Sequence, residues 1–138
     1  MCLSSSDKTI NITFIRHGTT IYNEQDRVQG SSDIKLSVKG INEIKHIQLY
    51  DAFDFDIFYH SPLSRSKDTL YKILDEYNMD SESLDIREDN LLTERRYGIF
   101  EGLTKKEIKK KYSNLYNEWM INENIKGDCI ESIENVID

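Results

Sequence analysis

The stretch from Phe14 to Gly30, FIRHGTTIYNEQDRVQG, decides how the rest of this 138-residue chain is interpreted. It places Arg16 and His17 directly after an apolar, β-branched and aromatic run at residues 10–15, which predicts a buried strand ended by Gly18. Open α/β sheets bind ligands at the carboxyl edge of their strands, where backbone amides of small residues can also point at an anion. The position therefore suits phosphate, although an Arg-His-Gly triplet alone is a weak motif.

Strand and helix patterns alternate along the rest of the chain, which predicts an α/β domain with a largely parallel sheet. A polar loop is expected at residues 19–36, and the five lysines between 105 and 111 have the pattern of a solvated face. The predicted elements are a helix from Ser37 to Tyr50, a strand at 53–60, a helix from Pro62 to Tyr77, a strand at 84–87, a helix at 104–122 and the start of another at 130–137.

The composition is that of one globular domain, which we expect to cover residues 1–138. A net charge of -7 disfavours nucleic acid and anionic membranes as partners. The two cysteines, Cys2 and Cys129, form no disulfide framework, and no run approaches the ~20 apolar residues of a membrane-spanning helix. A cytoplasmic protein is the expectation.

Several motifs in the same order resemble the histidine phosphatase superfamily, the phosphoglycerate mutase-like proteins. Each match is weak alone, but together they extend over nearly the whole chain. The matching positions are Arg16, His17, Gly18, Thr20, Asn23, Arg27, Gln29, Gly30, Asp33, Leu36, Ser37 and Gly40, the SPLSRSKDT block at 61–69, and Glu94, Gly98, Glu101 and Gly102.

The resemblance implies a three-layer α/β/α phosphoglycerate mutase-like fold. The family's second histidine lies in a Ser-His-Gly segment on a strand inside the sheet, and this sequence contains no such segment. Loss of that strand would leave unpaired backbone groups and an exposed apolar edge. We therefore expect these residues to form the amino-terminal part of a longer protein, with the carboxyl-terminal strands of the sheet missing.

Each role in phosphoryl transfer has a candidate residue. His17 can attack phosphorus if one ring nitrogen is unprotonated and the other is held by a hydrogen bond, and the resemblance implies a phosphohistidine intermediate. Arg16 and Arg65 can bind phosphate oxygens bidentately. Glu94 is the candidate general acid, with a pKa raised by burial behind Leu91 and Leu92, unless it faces solvent beside the arginines at 95 and 96.

Four loop residues complete the predicted phosphate and substrate site. The resemblance places Arg27 and Gly30 there, together with the side-chain amides of Asn23 and Gln29. Both amides are equally plausible as loop-capping groups. The family's mechanism uses arginines where other phosphatases use metals, so the resemblance implies no metal and no cofactor.

Three functions remain open from the sequence. The first is a phosphatase that hydrolyses a small phosphorylated metabolite through phosphorylated His17. The second is a phosphoglycerate mutase, favoured by ERRYG at 94–98 but not by residues 113–127, which lack the mutases' Arg-Arg-Ser insertion. The third is a non-catalytic phosphate-binding module, if the chain ends at residue 138. Oligomeric state is open.

Overall fold

The computed structural model describes residues 9–48, 55–121 and 130–132. Short 3₁₀ turns at 81–83, 90–92 and 98–100 connect the regular elements. These elements, in chain order, are α1 (Ile21–Glu24), α2 (Val38–Ile44), β1 (Phe58–His60), α3 (Ser64–Glu76), β2 (Ile86–Glu88), α4 (Lys105–Lys111) and α5 (Ser113–Ile121).

The described residues form a two-stranded parallel sheet. Phe58 pairs with Ile86 and His60 with Glu88, and α3 makes the crossover between the two strands. This βαβ unit confirms the predicted α/β class and the parallel pairing. Both strands are shorter than predicted, and residues 53–54 of the first predicted strand lie outside the described residues.

The prediction of a buried strand at residues 10–15 is wrong. Ile10, Ile12 and Phe14 are 83%, 69% and 88% exposed, and no backbone hydrogen bond joins residues 10–16 to another described residue. An apolar, β-branched run reports a tendency to extend, but a strand also needs a neighbour for its amides and carbonyls. No such neighbour is found among the described residues.

The helix α3 lies within one or two residues of its predicted bounds, whereas the other predicted helices differ more. Ser37 caps α2 by accepting a hydrogen bond from the Gly40 amide, as predicted, but α2 ends at Ile44 and Tyr50 lies outside the described residues. The predicted helix at 104–122 is two helices, because the backbone leaves the helical region at Tyr112, with φ -134° and ψ 52°. This break lets α5 fold back onto α4, and apolar spacing does not detect it.

The prediction of a helix beginning at Ile130 is also wrong for the described residues. Ile130 is buried in an isolated bridge, and the backbone amide of Glu131 donates to the carbonyl of Arg96. Ile130 is apolar because it packs into a core, not because it lies on a helix face. The rest of that predicted helix, residues 133–137, lies outside the described residues.

Two apolar clusters support the chain on either side of the loop at residues 19–36. One centres on Phe100 and Ile108, both fully buried, with Trp119 of α5 stacked 5.4 Å from the Phe100 ring. The other centres on Leu36, Ile44 and Ile73, where α2 packs on α3. The loop is therefore held by apolar contacts at Val28 and at Leu36.

Gly40 allows α2 to approach the loop that follows His17. A Cβ at residue 40 would lie within 3.0 Å of the backbone oxygen, nitrogen and carbon of Thr19. The Thr19 carbonyl also accepts a hydrogen bond from the Ser37 amide at 2.9 Å, so the two backbones are tied where they meet. The match at Gly40 thus has a steric cause.

We expect Gly40→Ala to destabilise the chain by about 1–3 kcal/mol, because the added methyl must push Thr19 away. Urea unfolding measures this change. Val38→Ala is the matched control, since Val38 lies on the same helix and is 77% exposed, and its effect should stay within about 0.5 kcal/mol. Equal stabilities of the two variants would contradict the steric argument.

Candidate active site

The imidazole of His17 is held in one tautomer. Its Nδ1 lies 2.8 Å from the carbonyl oxygen of Gly18. A carbonyl can only accept, so Nδ1 carries the proton and Nε2 keeps its lone pair. The ring therefore meets the condition set for a nucleophile, with one nitrogen hydrogen-bonded and the other unprotonated.

The surroundings of His17 favour the neutral ring. Its pKa lies below the ordinary value of 6.5, first because partial burial disfavours the imidazolium and then because Arg65 and Arg16 repel it. The hydrogen bond to Gly18 and the carboxylate of Glu94 act in the opposite direction without outweighing burial. At neutral pH the ring is therefore available as a base or nucleophile.

Arg65 is a buried cation in the first turn of α3. Its side chain is 2% exposed, and it donates to the carbonyls of Ser32 and Gly30, each at 2.8 Å. Burial lowers the pKa of Arg65, while the carboxylates of Glu94, Asp33 and Glu101 oppose that change, and a guanidinium stays charged in proteins. Two carbonyls use only part of its five N–H donors, so others remain for an anion.

One cavity of about 970 Å³ brings the predicted site residues together. It is open to solvent, and its lining combines Arg16 and His17 with residues that come more than 70 positions later in the chain. The predicted residues that line it are Arg16, His17, Asn23, Arg27, Gln29, Gly30, Arg65 and Glu94.

Asn23 and Gln29 both line this cavity and also cap the loop. Asn23 Oδ1 accepts from the amide of Thr20 at 3.0 Å, and the Thr20 hydroxyl accepts from the Asn23 amide, so the two form a capping box on α1. Gln29 Oε1 accepts from the Thr20 hydroxyl at 2.5 Å. The loop-capping role weighed for both amides is therefore present, alongside their place on the cavity wall.

Arg27 reaches the cavity wall with its guanidinium already engaged. Nη1 donates to the Gly102 carbonyl at 2.6 Å and to Glu107 at 3.1 Å. Arg27 also faces Thr104 in an isolated antiparallel bridge. It therefore fastens the loop to the start of α4.

Glu94 lies on the cavity wall, but the expected burial behind two leucines is wrong. Glu94 is exposed, Leu91 is 87% exposed and Leu92 is 49% exposed. The leucines follow one another in a 3₁₀ turn whose side chains face solvent. Adjacent apolar residues in a sequence therefore did not mark a buried pocket here.

Glu101 anchors the loop that Arg65 holds from the other side. Its carboxylate accepts from the amide and hydroxyl of Ser31, the hydroxyl of Ser32 and the amide of Tyr97. Burial raises the pKa of Glu101, but these hydrogen bonds, led by Ser32, outweigh it and the net pKa is lowered. Gly30 permits this arrangement, because its φ is +52° and a Cβ would collide with Glu101.

The cavity has a second wall that the sequence did not assign to the site. Lys105 and Lys106 were expected on a solvated face, yet both line the cavity while remaining exposed. Lys105 Nζ lies 5.8 Å from the centroid of the Trp119 ring. The signal that could have found this wall is the position of the lysines directly after the matched Gly102. The further lining residues are Gln25, Asp26, Val28, Tyr97, Thr104 and Trp119.

The chain's other histidines do not line this cavity. His60 is buried, with Nδ1 2.8 Å from the Ser61 carbonyl and its ring against Tyr71, and His46 is exposed after α2. Within the described ranges, no group of three or more histidine, cysteine or acidic residues is placed to hold a metal ion. In that same part of the chain, every helix is too short or too polar to cross a membrane.

The chain is similar to several known proteins. The sequence model of the histidine phosphatase superfamily, branch 1, matches residues 12–138. A curated relative, the 2,3-bisphosphoglycerate-dependent phosphoglycerate mutase of Wigglesworthia glossinidia brevipalpis, is 40% identical over 114 residues. That match covers 80% of this chain and 48% of the mutase. The chain thus spans about half the length of this relative.

Solved structures share the fold. YhfR of Bacillus stearothermophilus aligns with a TM-score of 0.74 at 24% identity, covering 88% of this chain and 58% of that one. The α-ribazole phosphatase of Shigella flexneri aligns with a TM-score of 0.74 at 22% identity, and the match covers 88% of this chain and 59% of that one. A mycobacterial glucosyl-3-phosphoglycerate phosphatase, in a complex with VO3, aligns with a TM-score of 0.65 at 26% identity. The match covers 87% of this chain and 58% of that one.

The charges around His17 predict how its ring titrates. We expect a midpoint below 6.5 by NMR, rising in Arg16→Gln, which removes a repelling cation, and falling further in Glu94→Gln, which removes an attracting carboxylate. Lys67→Gln, an exposed change elsewhere on α3, is the control and should leave the midpoint unchanged. A wild-type midpoint at or above 6.5, or shifts of equal sign in the two variants, would contradict this account.

Proposed function

Because this chain belongs to branch 1 of the histidine phosphatase superfamily, we propose that it carries the phosphoryl-accepting site of a phosphomonoester phosphatase. The nucleophile is His17, the phosphate is bound by Arg16 and Arg65, and Glu94 is the proton donor. The substrate class is a small phosphorylated metabolite. Since the chain spans about half the length of the relatives it matches, the activity of the whole protein is part of the proposal.

The observation that carries the proposal is the state of His17 inside the cavity. Its Nδ1 is used by the Gly18 carbonyl, its pKa is lowered by burial, and two arginines lie within electrostatic reach. A neutral ring among cations is suited to attack a phosphate dianion, because the arginines neutralise the charge that would repel the nucleophile. The mycobacterial phosphatase that shares the fold at 26% identity forms a complex with VO3, an oxyanion, which supports oxyanion binding by a protein of this fold.

The first chemical step transfers the phosphoryl group to the ring. The lone pair of His17 Nε2 forms a bond to phosphorus as the bond from phosphorus to the ester oxygen breaks. Arg16 and Arg65 stabilise the charge on the non-bridging oxygens. Glu94 gives its proton to the leaving oxygen, which departs as the alcohol.

The second step returns the enzyme to its starting state. A water attacks phosphorus while the ionised Glu94 takes one proton from that water, and the bond from phosphorus to Nε2 breaks. Inorganic phosphate leaves, the lone pair returns to Nε2 and Glu94 is protonated again. The exposure of Glu94 allows water to reach it, which suits this step better than a sealed pocket would.

A mutase is the second candidate, and the cavity's second wall favours it. The relative at 40% identity is a 2,3-bisphosphoglycerate-dependent phosphoglycerate mutase. In the cavity, Lys105 and Lys106 stand with Tyr97 on the wall formed by residues 97–106 and the neighbouring α5. Such a wall suits an acceptor that itself bears negative charge.

The nucleophile is tested by labelling. On incubation with an aryl phosphate, we expect acid-labile, base-stable label on the wild-type chain, and at least a ~1,000-fold lower rate of label uptake in His17→Ala, because the attacking nitrogen is lost. His46→Ala is the matched control, since His46 is exposed and outside the cavity, and it should label normally. Absence of label from the wild type, or its persistence in His17→Ala, would refute the proposal.

The two candidate functions differ in how they treat 3-phosphoglycerate. A phosphatase releases inorganic phosphate from it, with or without 2,3-bisphosphoglycerate. A mutase instead forms 2-phosphoglycerate, and its rate rises when the bisphosphate is added. We expect the rate of phosphate release to exceed the rate of 2-phosphoglycerate formation by ~10-fold or more. This ratio measures how much better the site stabilises the transition state of hydrolysis than that of transfer. Measuring both products in one reaction decides the question, and a bisphosphate-stimulated isomerisation would establish the mutase.

A further inference from the structure

Thr69 lies one helical turn after Arg65 on α3, and its hydroxyl makes two hydrogen bonds in a buried position. Its side chain is 4% exposed. The hydroxyl donates to the carbonyl of Arg65 at 2.6 Å and accepts from the amide of Gly18 at 2.9 Å. One oxygen therefore joins α3 to the residue that follows His17, 51 positions earlier in the chain.

This contact has few substitutes. Among the described hydrogen bonds, the one between Gly18 and Thr69 is the only one that ties residues 16–18 to another element of the fold. The run before it, residues 10–16, is exposed and lacks described backbone partners. The Thr69 hydroxyl thus positions the Gly18 peptide together with the hydrogen bond from the Ser37 amide to the next carbonyl, that of Thr19.

The same glycine also holds the imidazole. The Gly18 carbonyl accepts from His17 Nδ1, so any displacement of Gly18 moves the acceptor that selects the tautomer. We propose that Thr69 is a positioning residue for His17, keeping Nε2 unprotonated and aimed into the cavity. The proposal rests on the proposed function in one respect, that His17 is the nucleophile.

The geometry also explains why a hydroxyl on α3 suits this task. The proton of the Thr69 hydroxyl is committed to the Arg65 carbonyl, which leaves the oxygen lone pair facing the Gly18 amide. The position of His17, through Gly18, and the backbone of Arg65 are thereby both linked to the same turn of α3. Small misplacements of reacting groups lower the reaction rate by large factors. Anchoring both residues to one helical turn therefore favours catalysis.

Three variants of the 138-residue chain test the proposal. Thr69→Val keeps the shape and removes the hydroxyl, Thr69→Ser restores the hydroxyl, and Tyr77→Phe removes a different hydroxyl bond from α3, the one to the Ile47 carbonyl. Thermal melts establish that each variant is folded. The ring nitrogens of His17 are then observed by ¹⁵N NMR, and phosphohistidine formation from an aryl phosphate is timed.

We expect Thr69→Val to change the His17 spectrum from a single Nδ1-protonated form to a mixture of both tautomers. The maximal rate of phosphohistidine formation should fall about 10- to 100-fold while the half-saturating donor concentration changes less than about threefold. Thr69→Ser should recover both readouts, and Tyr77→Phe should resemble the wild type.

The His17 spectrum tests the positioning role of Thr69, and label uptake by the wild-type chain tests the role of His17 as nucleophile. A changed ring spectrum in Thr69→Val, together with a wild-type chain that takes up no label, would support the positioning role and refute His17 as nucleophile. An unchanged ring spectrum in folded Thr69→Val would overturn the positioning role, whatever the labelling shows. If Thr69→Val does not fold, Thr69→Ser decides: a wild-type spectrum supports the role of the hydroxyl, and a mixture of tautomers overturns it.

Discussion

The site depends on the burial of one cation. Arg65 is nearly inaccessible to water, and a guanidinium in that position needs hydrogen-bond acceptors within the fold. The carbonyls of Gly30 and Ser32 accept from two of its nitrogens, which ties the loop to the start of α3. Glu101 holds the same loop from the opposite side. The shape of the cavity therefore follows from compensating one buried charge.

Hydrogen bonds that cross between elements hold the site where the sheet does not. The two short strands leave the run at residues 10–16 without described backbone partners. Gly18 is instead fixed by Thr69, and the amide of Ser64 at the start of α3 is capped by Asp33 from the loop, at 2.7 Å. Each bond satisfies a backbone group that would otherwise be unpaired. The cavity wall thus has local supports in addition to the sheet.

Elements with local signals were predictable, and elements that need a partner were not. The start of α3, the Ser37 cap and the strand around Ile86 were predicted, because helix caps and apolar periodicity depend only on residues that are close in sequence. The strand at residues 10–15 failed because pairing depends on another segment. The helix at 104–122 failed because its two halves have one continuous pattern, broken only at Tyr112.

The sequence by itself indicated eight candidate site residues, and all eight line one cavity. Only the tertiary structure decided what each one does there: that Arg27 is engaged by Glu107, that Glu94 is exposed, and that the tautomer of His17 is chosen by a glycine held from α3. The physical reason is distance along the chain. Residue type and spacing specify chemical capacity, but hydrogen bonds between residues 51 to 80 positions apart specify orientation and protonation, and these form only when the chain folds.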